Sequence, residues 1–175
     1  QRLIQTETVF DIYSPVGKWK TESNGTRALK SNGESFWHEY ASPGNIPFLM
    51  EKWLPKFKVS ASNIQDEVSA IKTYTLCHLG FVDIHPYADG NGRMARLLAS
   101  VPLLKSGYPP VIIQKESRRE YLGLLGNYSS VNPSPTRENY ELIDGAELDA
   151  LIDFFTWQWE DTRKVVKEFR SRQEQ

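Results

Sequence analysis

The most informative segment of the sequence is Ile84-His85-Pro86-Tyr87-Ala88-Asp89-Gly90-Asn91-Gly92-Arg93-Met94-Ala95-Arg96. Its proline follows a histidine directly, so it ends the preceding helix and restricts the backbone just after the imidazole. Its two glycines permit positive φ and leave room for a ligand to approach the backbone. The stretch therefore predicts two helices joined by a loop over residues 85–92, with the histidine at the start of the loop.

The same loop carries residue types that suit the transfer of a phosphate-containing group. His85 has an ordinary pKa near ~6.5, which suits a proton acceptor at neutral pH. The backbone N–H groups of the glycine turn can form an anion nest at the start of a helix, whose dipole attracts phosphate. Arg93 and Arg96 share one helix face and can bind phosphate oxygens, and Asp89 is a hard oxygen ligand for Mg²⁺. Together these residues indicate phosphoryl-type transfer.

The composition of the chain is that of an ordinary soluble globular domain. Hydrophobic residues make up 39% and charged residues 25% of its 175 residues, and the formal net charge is −1. This balance gives no indication of a nucleic-acid partner, and no apolar run approaches the ~20 residues of a membrane-spanning helix. Cys77 is the only cysteine, which excludes an internal disulfide and favours a reducing compartment. We predict one domain over residues 1–175 and an intracellular, cytoplasmic location, with delivery into another compartment or a host cell left open.

Hydrophobic periodicity and turn signals predict an all-α helical bundle that carries one small β-hairpin. The hairpin occupies about residues 18–42, with runs at 26–30 and 34–40 joined through Ser31-Asn32-Gly33. Pro55 argues for a kink or an early stop in one helix, and Ser62 or Asn63 can cap the next. The predicted helices span residues 3–13, 47–59, 62–83, 91 or 92 to about 106 with a bend at Pro102, 115–127, and 146–172, and residues 128–145 form a loop.

Several single residues receive structural interpretations. Cys77 and His78 are expected to be buried. His78 and His85 lack a third ligand nearby, so a zinc site is not expected. His38 is expected at the surface, Tyr87 as a hydrophobic anchor under the loop. The tryptophans of the later helices are expected in the core rather than in a base-stacking platform, namely Trp53, Trp157 and Trp159.

The quoted stretch resembles the signature of the Fic family, His-Pro-(Phe or Tyr)-x-(Asp or Glu)-Gly-Asn-(Gly or Lys)-Arg-x-x-Arg, with every position filled. The resemblance extends from about Gly17 to Phe155. Gly17-Lys18-Trp19-Lys20 is similar to the family's Gly-x-Tyr/Phe-Arg segment, with Lys20 in place of arginine. The other similar segments are Ile46-Pro47-Phe48-Leu49-Met50, Gly107-Tyr108-Pro109-Pro110-Val111-Ile112-Ile113 and Arg118 to Tyr121.

This resemblance implies a Fic fold and a protein adenylyltransferase, which moves AMP from ATP onto a Ser, Thr or Tyr hydroxyl of a target protein and releases pyrophosphate. It implies that His85 is the base and that Asp89 holds Mg²⁺ on the phosphates. The anion hole would consist of Gly90, Asn91 and Gly92, with Asn91 on the α-phosphate. Arg93 would bind the α/β-phosphate region and Arg96 the γ-phosphate. Tyr121 would border the adenine, and Leu122 departs from the family's second aromatic residue, which leaves the base open.

The resemblance also implies partners. The hairpin, about Thr26 to Tyr40, would be a flap that docks the target protein by adding a strand. Many Fic proteins carry an inhibitory helix with the pattern Ser/Thr-x-x-x-Glu-Gly/Asn. Thr156-x-x-x-Glu160-Asp161 nearly fits, but it falls in a predicted core helix, so coincidence is favoured. An inhibitory helix would then come from upstream of Gln1 or from another chain.

Four alternatives remain open at this point. The transferred group can be UMP or phosphocholine rather than AMP, and phosphoryl transfer is a further variant that Gly92 disfavours, because the kinase-like branch has lysine there. Removal of AMP from a target is a third possibility. The fourth is a non-catalytic adaptor that binds a partner strand, although an adaptor has no reason to keep His85, Asp89 and Arg96 together.

Overall fold

A computed structural model describes residues 17–173 of the chain. The described part is mostly helical with a single two-stranded antiparallel sheet, so the predicted fold class is confirmed. The helix predicted for residues 3–13 lies outside the described residues. The strands are β1 (Gly25–Leu29) and β2 (Ser35–Glu39), and the helices are α1 (Ile46–Val59), α2 (Glu67–Ile84), α3 (Asn91–Lys105), α4 (Arg118–Val131) and α5 (Ala146–Gln173).

Helix α2 is the central element, and its start differs from the prediction. Asp66, and neither Ser62 nor Asn63, caps the helix: its carboxylate accepts from the Ser69 N–H at 2.7 Å. The Ser69 hydroxyl in turn accepts from the Asp66 N–H at 2.9 Å, which completes a capping box. Residues 60–63 form a separate 3₁₀ turn. The sequence did not indicate Asp66 as the cap, because Ser69 at the third helical position acts here in place of the usual Glu or Gln.

The predicted end of one other helix is confirmed, and the bounds of another differ. Helix α1 ends at Val59 and does not stop early at Pro55. The proline costs one helical hydrogen bond, and the burial of Leu49 and Trp53 in the core offsets that loss. Helix α4 begins and ends later than the predicted span 115–127. Its last turn contains Tyr128, which is buried in the main core, and tertiary packing thus extends the helix. The following connection is residues 132–145 rather than 128–145.

The hairpin matches its prediction, with Gly33 at φ 89° in the turn and Arg27 opposite Trp37. One face of the hairpin, the inner face, is partly buried against the body, and the outer face is exposed. His38, predicted at the surface, is on the inner face and is buried together with Ala28. The prediction was wrong because alternation decides only which residues share a face, and the packing of the body decides which face is covered.

The core confirms most of the other burial predictions. Cys77, His78, Trp53 and Trp159 are buried, and Tyr87 packs against the cluster that contains Phe81. Trp157 is the exception, since 56% of it is exposed on α5. Within residues 17–173, no helix combines the length and the apolarity needed to cross a membrane.

Candidate active site

The backbone at the start of the motif loop is strained. Helix α2 ends at Ile84, and His85 follows in the left-handed region at φ 50° and ψ 56°. His85 is the only residue other than glycine with positive φ among residues 17–173. Pro86 disfavours the right-handed helical conformation for the residue before it, and the Pro86 carbonyl accepts a hydrogen bond from the Lys20 N–H at 2.8 Å. Strain of this kind concentrates at functional sites.

The His85 ring is held on two sides. Its Nδ1 lies 3.1 Å from the Val82 carbonyl oxygen, so Nδ1 carries the hydrogen and donates it. That tautomer leaves Nε2 with a lone pair. One face of the ring stacks on Tyr40, with ring centroids 3.5 Å apart and planes 8° from parallel. The imidazole is therefore oriented before any substrate arrives.

The environment of His85 changes its acidity. Burial, with the Lys20 ammonium and His38 acting in the same direction, lowers the pKa of His85 to about 4, against the opposing effects of the Val82 bond and Asp89. The ordinary value near ~6.5 that the sequence suggests does not hold, because the ring is covered by Tyr40, which follows β2 and is distant in sequence. The imidazole is neutral at physiological pH, which is the form that accepts a proton.

Asn91 closes the loop from inside. It is almost fully buried, its Oδ1 accepts from the Tyr87 N–H at 2.9 Å, and its Nδ2 donates to the Tyr87 carbonyl at 2.7 Å. Gly90 stands between them at φ 82°, a conformation that suits glycine. The side chain of Asn91 thus binds the loop, and its backbone N–H is the group that it can offer to an anion.

Helix α3 begins at Asn91, and Gly90 supplies no capping side chain. The amides of its first turn have no acceptor within the helix, which is the usual basis of anion binding. Arg93 Nη2 lies 3.1 Å from Asp89 Oδ2, and both side chains are exposed. Arg96 also lies at this turn, since a β-carbon on Gly92 would be 3.7 Å from Arg96 Nη1. The structure therefore brings the predicted anion-binding residues together.

Beyond Arg96 opens a basic cleft of about 230 Å³. Its lining residues are Arg96, Ile113, Gln114, Lys115, Arg118 and Tyr121. None of them is acidic, so the cleft suits a negatively charged ligand. Tyr121 is only 4% exposed, so it forms the inner wall rather than an open stacking surface.

A buried pair behind this cleft orients Arg96. The Arg96 guanidinium lies 5.9 Å from the Tyr121 ring centre, and the Tyr121 hydroxyl is 2.9 Å from His78 Nε2. Burial first, and then Arg96, lower the pKa of His78 to about 3, so this histidine is neutral. The sequence predicted a buried His78, but not that it supports Arg96 through Tyr121.

The flap is held over the site by contacts that the sequence analysis missed. The Ser31 N–H in the hairpin turn donates to Asn127 Oδ1 at 3.0 Å, and Asn127 Nδ2 donates to the Ser31 hydroxyl at 3.0 Å. Gly126 lets α4 approach β1, since a β-carbon there would be 2.2 Å from the Leu29 carbonyl oxygen. The Asn-Gly turn signalled the hairpin, but no local signal indicates where it docks.

Lys20 is a second residue that the sequence analysis did not assign to the site. It is only 4% exposed, its ammonium donates to Asn24 Oδ1 and lies 5.9 Å from the Tyr40 ring centre. Burial lowers the pKa of Lys20 to about 8, against an opposing effect of Glu39. Lys20 links the base of the flap to the motif loop through Asn24 and the Pro86 carbonyl. The signal in the sequence was its place in the Gly17-Lys18-Trp19-Lys20 segment.

Two further features concern the inhibitory pattern and the binding of a metal ion. Glu160 of the near-match to the inhibitory pattern lies on α5, 4.0 Å from Lys164 as an i, i+4 pair. Within the described part of the chain, no three His, Cys, Asp or Glu side chains are grouped as a metal cage. A site that holds Mg²⁺ through one carboxylate and substrate phosphates does not need such a cage, so exposed Asp89 fits that chemistry.

The chain is similar in sequence to a known family and to individual proteins. The sequence profile of the Fic/DOC family matches residues 2–103. The chain is 37% identical over 101 residues to "Protein adenylyltransferase Fic" of Aedes aegypti, which covers 55% of this chain and 19% of the relative. It is 36% identical over 98 residues to the protein of the same name of Drosophila grimshawi, which covers 55% of this chain and 20% of the relative. The chain thus spans a small part of each relative.

Solved structures share the architecture. A Fic domain-containing signaling protein from Bacteroides thetaiotaomicron superposes with a TM-score of 0.67 at 27% identity, over 85% of this chain and 53% of that chain. Fic-1 from C. elegans superposes with a TM-score of 0.52 at 21% identity, over 87% of this chain and 37% of that chain, and shows the shared fold alone. Because the family profile matches more than half of the chain, this protein belongs to the Fic/DOC family.

Proposed function

We propose that this protein is an adenylyltransferase that transfers AMP from ATP to a Ser, Thr or Tyr hydroxyl of a target protein. The observation that carries the proposal is the position of a neutral, pre-oriented His85 in the loop that leads into the start of α3, where no side chain caps the helix. The relatives in Aedes aegypti and Drosophila grimshawi, both named protein adenylyltransferases, support AMP as the transferred group.

The triphosphate would bind across the start of α3. The first-turn amides and the arginine side chains supply donors, and each hydrogen bond to a charged group contributes about 1.5–3 kcal/mol. Arg93 serves the α/β-phosphate region and Arg96 the γ-phosphate. The basic cleft beside Arg96 adds Lys115 and Arg118, which were not among the sequence-predicted residues. The nucleotide base would approach the Tyr121 side of this cleft.

Mg²⁺ would be held by Asp89 together with the phosphates. Asp89 is exposed and pairs with Arg93 across one helical turn, so a carboxylate and a guanidinium stand at the same anion site. When bound, the metal neutralises part of the phosphate charge. The protein's own contribution is to position this carboxylate beside the turn.

His85 would perform the proton transfer. Its Nε2 takes the proton of the target hydroxyl, while the hydroxyl oxygen forms a bond to the α-phosphorus and the bond to pyrophosphate breaks. The Val82 carbonyl stabilises the imidazolium that results, because it accepts the Nδ1 hydrogen. General-base catalysis of this kind contributes about 10²–10⁴-fold to the rate.

The target would dock on the flap along β2. Backbone bonds join Tyr40 to Asn24 and Lys30 to Glu34, so alternate residues such as Trp37 direct their N–H and C=O groups to the hairpin edge. Helix α4 packs along β1, and the Ser134 hydroxyl bonds the Glu39 carbonyl at the end of β2, so the part of β2 around Trp37 is the more open edge. Trp37 is 68% exposed and its indole covers Gly25 at the base of the flap. Strand addition at β2 would present a flanking side chain to this indole.

Labelling of lysate proteins with α-³²P-ATP and Mg²⁺ tests the proposal. We expect labelled bands with the wild-type chain and a loss of at least about 100-fold with His85→Ala, because the general base is removed. The control is Lys72→Ala, at an exposed position on α2, and this variant should label target proteins as the wild type does. Trp37→Pro removes an edge N–H and should reduce labelling of protein targets.

The choice of nucleotide distinguishes the alternatives. Equal labelling by wild-type protein and His85→Ala would remove the transferase proposal. Labelling from γ-³²P-ATP but not α-³²P-ATP would indicate a kinase, and stronger labelling from α-³²P-UTP would indicate UMP transfer. Mass spectrometry of the modified residue then identifies the hydroxyl.

A further inference from the structure

A second and larger cavity lies away from the motif loop. It has a volume of about 400 Å³ and opens between α1, α2 and the connection at residues 132–145. None of residues 85–96 lines it. Its apolar walls include Trp53, Phe57, Leu76, Pro133, Pro135 and Leu142. A cavity of this size falls within the range that holds small organic ligands.

The charge of this cavity is opposite to that of the basic cleft. Asp83, Glu141 and Asp144 line it, against the single cation Lys56. Lys56 Nζ is 3.9 Å from Glu141 Oε2, and both side chains are largely exposed. Partial pairing at the mouth therefore leaves an excess of negative charge in the cavity, which favours a cationic ligand over an anionic one.

Asp83 is the buried acidic residue among those that line this cavity. It is only 5% exposed, and its Oδ2 accepts from Asn132 Nδ2 at 2.6 Å. No lysine or arginine within residues 17–173 forms an ion pair with it. Burial raises the pKa of Asp83 to about 7, against the opposing bond from Asn132. A buried carboxylate needs charged or hydrogen-bonding partners, and one donor leaves most of its lone pairs unused.

The walls decide which kind of cation fits. A hydrated metal ion needs several oxygen ligands, whereas this cavity offers one deeply buried carboxyl group among aromatic and aliphatic side chains. The aromatic lining, Trp53, Phe57 and Tyr140, suits an organic cation, because aromatic side chains bury apolar bodies and attract ammonium groups; Lys56 already lies 5.4 Å from the Tyr140 ring centre.

We propose that this cavity is a binding site for a small organic amine, with its ammonium group on Asp83 and its apolar body between α1 and the 132–145 connection. The amine donates hydrogen bonds to the carboxylate and neutralises its charge. The aromatic or aliphatic body fills the space beside Trp53. This site is independent of the proposed transfer reaction.

The test is an NMR titration of the full chain with phenethylamine, monitored at the Trp53 indole N–H. Two matched probes, 2-phenylethanol and 3-phenylpropionate, keep the ring and replace the ammonium by a neutral or an acidic group. We expect saturable binding of the amine at submillimolar to millimolar concentration and at least about tenfold weaker binding of both controls. This comparison uses the wild-type protein.

Variants assign the binding to the residue. Asp83→Asn retains a group that accepts from Asn132 and should weaken amine binding at least about tenfold, with the alcohol unchanged. His85→Ala should leave amine binding unchanged, so a failure of the proposed transfer reaction does not affect this site. An indole resonance that does not move, or moves equally with amine and alcohol, would overturn the proposal, as would full amine binding by Asp83→Asn.

Discussion

The motif loop and the flap meet at one site but are held in different ways. The loop is held by its own neighbours: Asn91 binds Tyr87, and Arg93 pairs with Asp89. The flap is held by residues distant in sequence, namely Asn127 and Gly126 of α4. The comparison indicates that the chemistry of the site is a local property, whereas access to it depends on how the chain packs.

The two regions join where Tyr40 stacks on His85. This contact makes the acidity of the candidate base depend on the flap, because the stack contributes to the burial that lowers its pKa. Lys20 also lies at this junction, since its ammonium group donates to Asn24 and lies 5.9 Å from the Tyr40 ring centre. A change in the flap should therefore also change the acidity of His85 in the loop.

The largest effect is expected from breaking the loop. Asn91→Ala removes both hydrogen bonds to the Tyr87 backbone inside a buried site and leaves those groups without their partner. We expect a loss of roughly 2–4 kcal/mol in the free energy of unfolding, since each unsatisfied buried group costs about 1–3 kcal/mol. Urea denaturation measures the stability change, and the labelling assay should show at least about a 100-fold loss, because misplacement of about 1 Å can cost that much.

Asn63→Ala is the matched control, because Asn63 is exposed in the turn before α2. Wild-type stability and labelling in Asn91→Ala would show that the loop keeps its shape without this clamp. The local account of the motif would then be wrong.

An intermediate effect is expected from breaking the flap. Gly126→Ala places a methyl group against the Leu29 carbonyl, which is backbone and cannot rotate away, so β1 must move from α4. We expect a destabilisation of about 1–3 kcal/mol, typical of overpacking, and faster hydrogen exchange of the Ser31 amide. Exchange measured by NMR separates displacement of the flap from global unfolding.

Gly44→Ala provides the control, since a β-carbon at Gly44 meets no atom within 4 Å. Unchanged exchange at Ser31 in Gly126→Ala would contradict the close approach of the flap to α4. Normal exchange with Gly44→Ala and faster exchange with Gly126→Ala would support it.

The smallest effect is expected at the junction. Tyr40→Ala exposes one face of His85, so its pKa should rise from about 4 toward the ordinary value near 6.5. The folded pKa of wild-type His85 lies below the unfolded one, so acidification from pH 6.5 to 4 favours the unfolded chain. The variant should show a weaker pH dependence of stability in this window, because its two pKa values are closer.

NMR titration of the His85 ring measures this change, with Tyr40→Phe as the control that keeps the stacked ring. An unchanged His85 pKa in Tyr40→Ala would mean that other groups bury the imidazole. A large rise in Tyr40→Phe would instead assign the effect to the hydroxyl.

Most of the motif could be predicted from the sequence, because its glycines, proline and charged residues act within a few positions. The loop at residues 85–92 and the start of α3 follow the prediction closely. The pKa of His85 could not be predicted, since it depends on Tyr40 from another element. The sequence also did not predict that His38 is buried or that α4 extends through Tyr128. Both depend on surfaces that distant residues contribute.

The sequence alone determined the helical bundle, the hairpin and the residues at the motif loop, because helix caps, turns and side-chain periodicity depend on neighbours along the chain. Only the tertiary structure decided the docking of the flap, the support of Arg96 by Tyr121 and His78, and the acidic cavity at Asp83. The physical reason is that burial and long-range hydrogen bonds depend on which surfaces pack together, and local propensity carries no information about that choice.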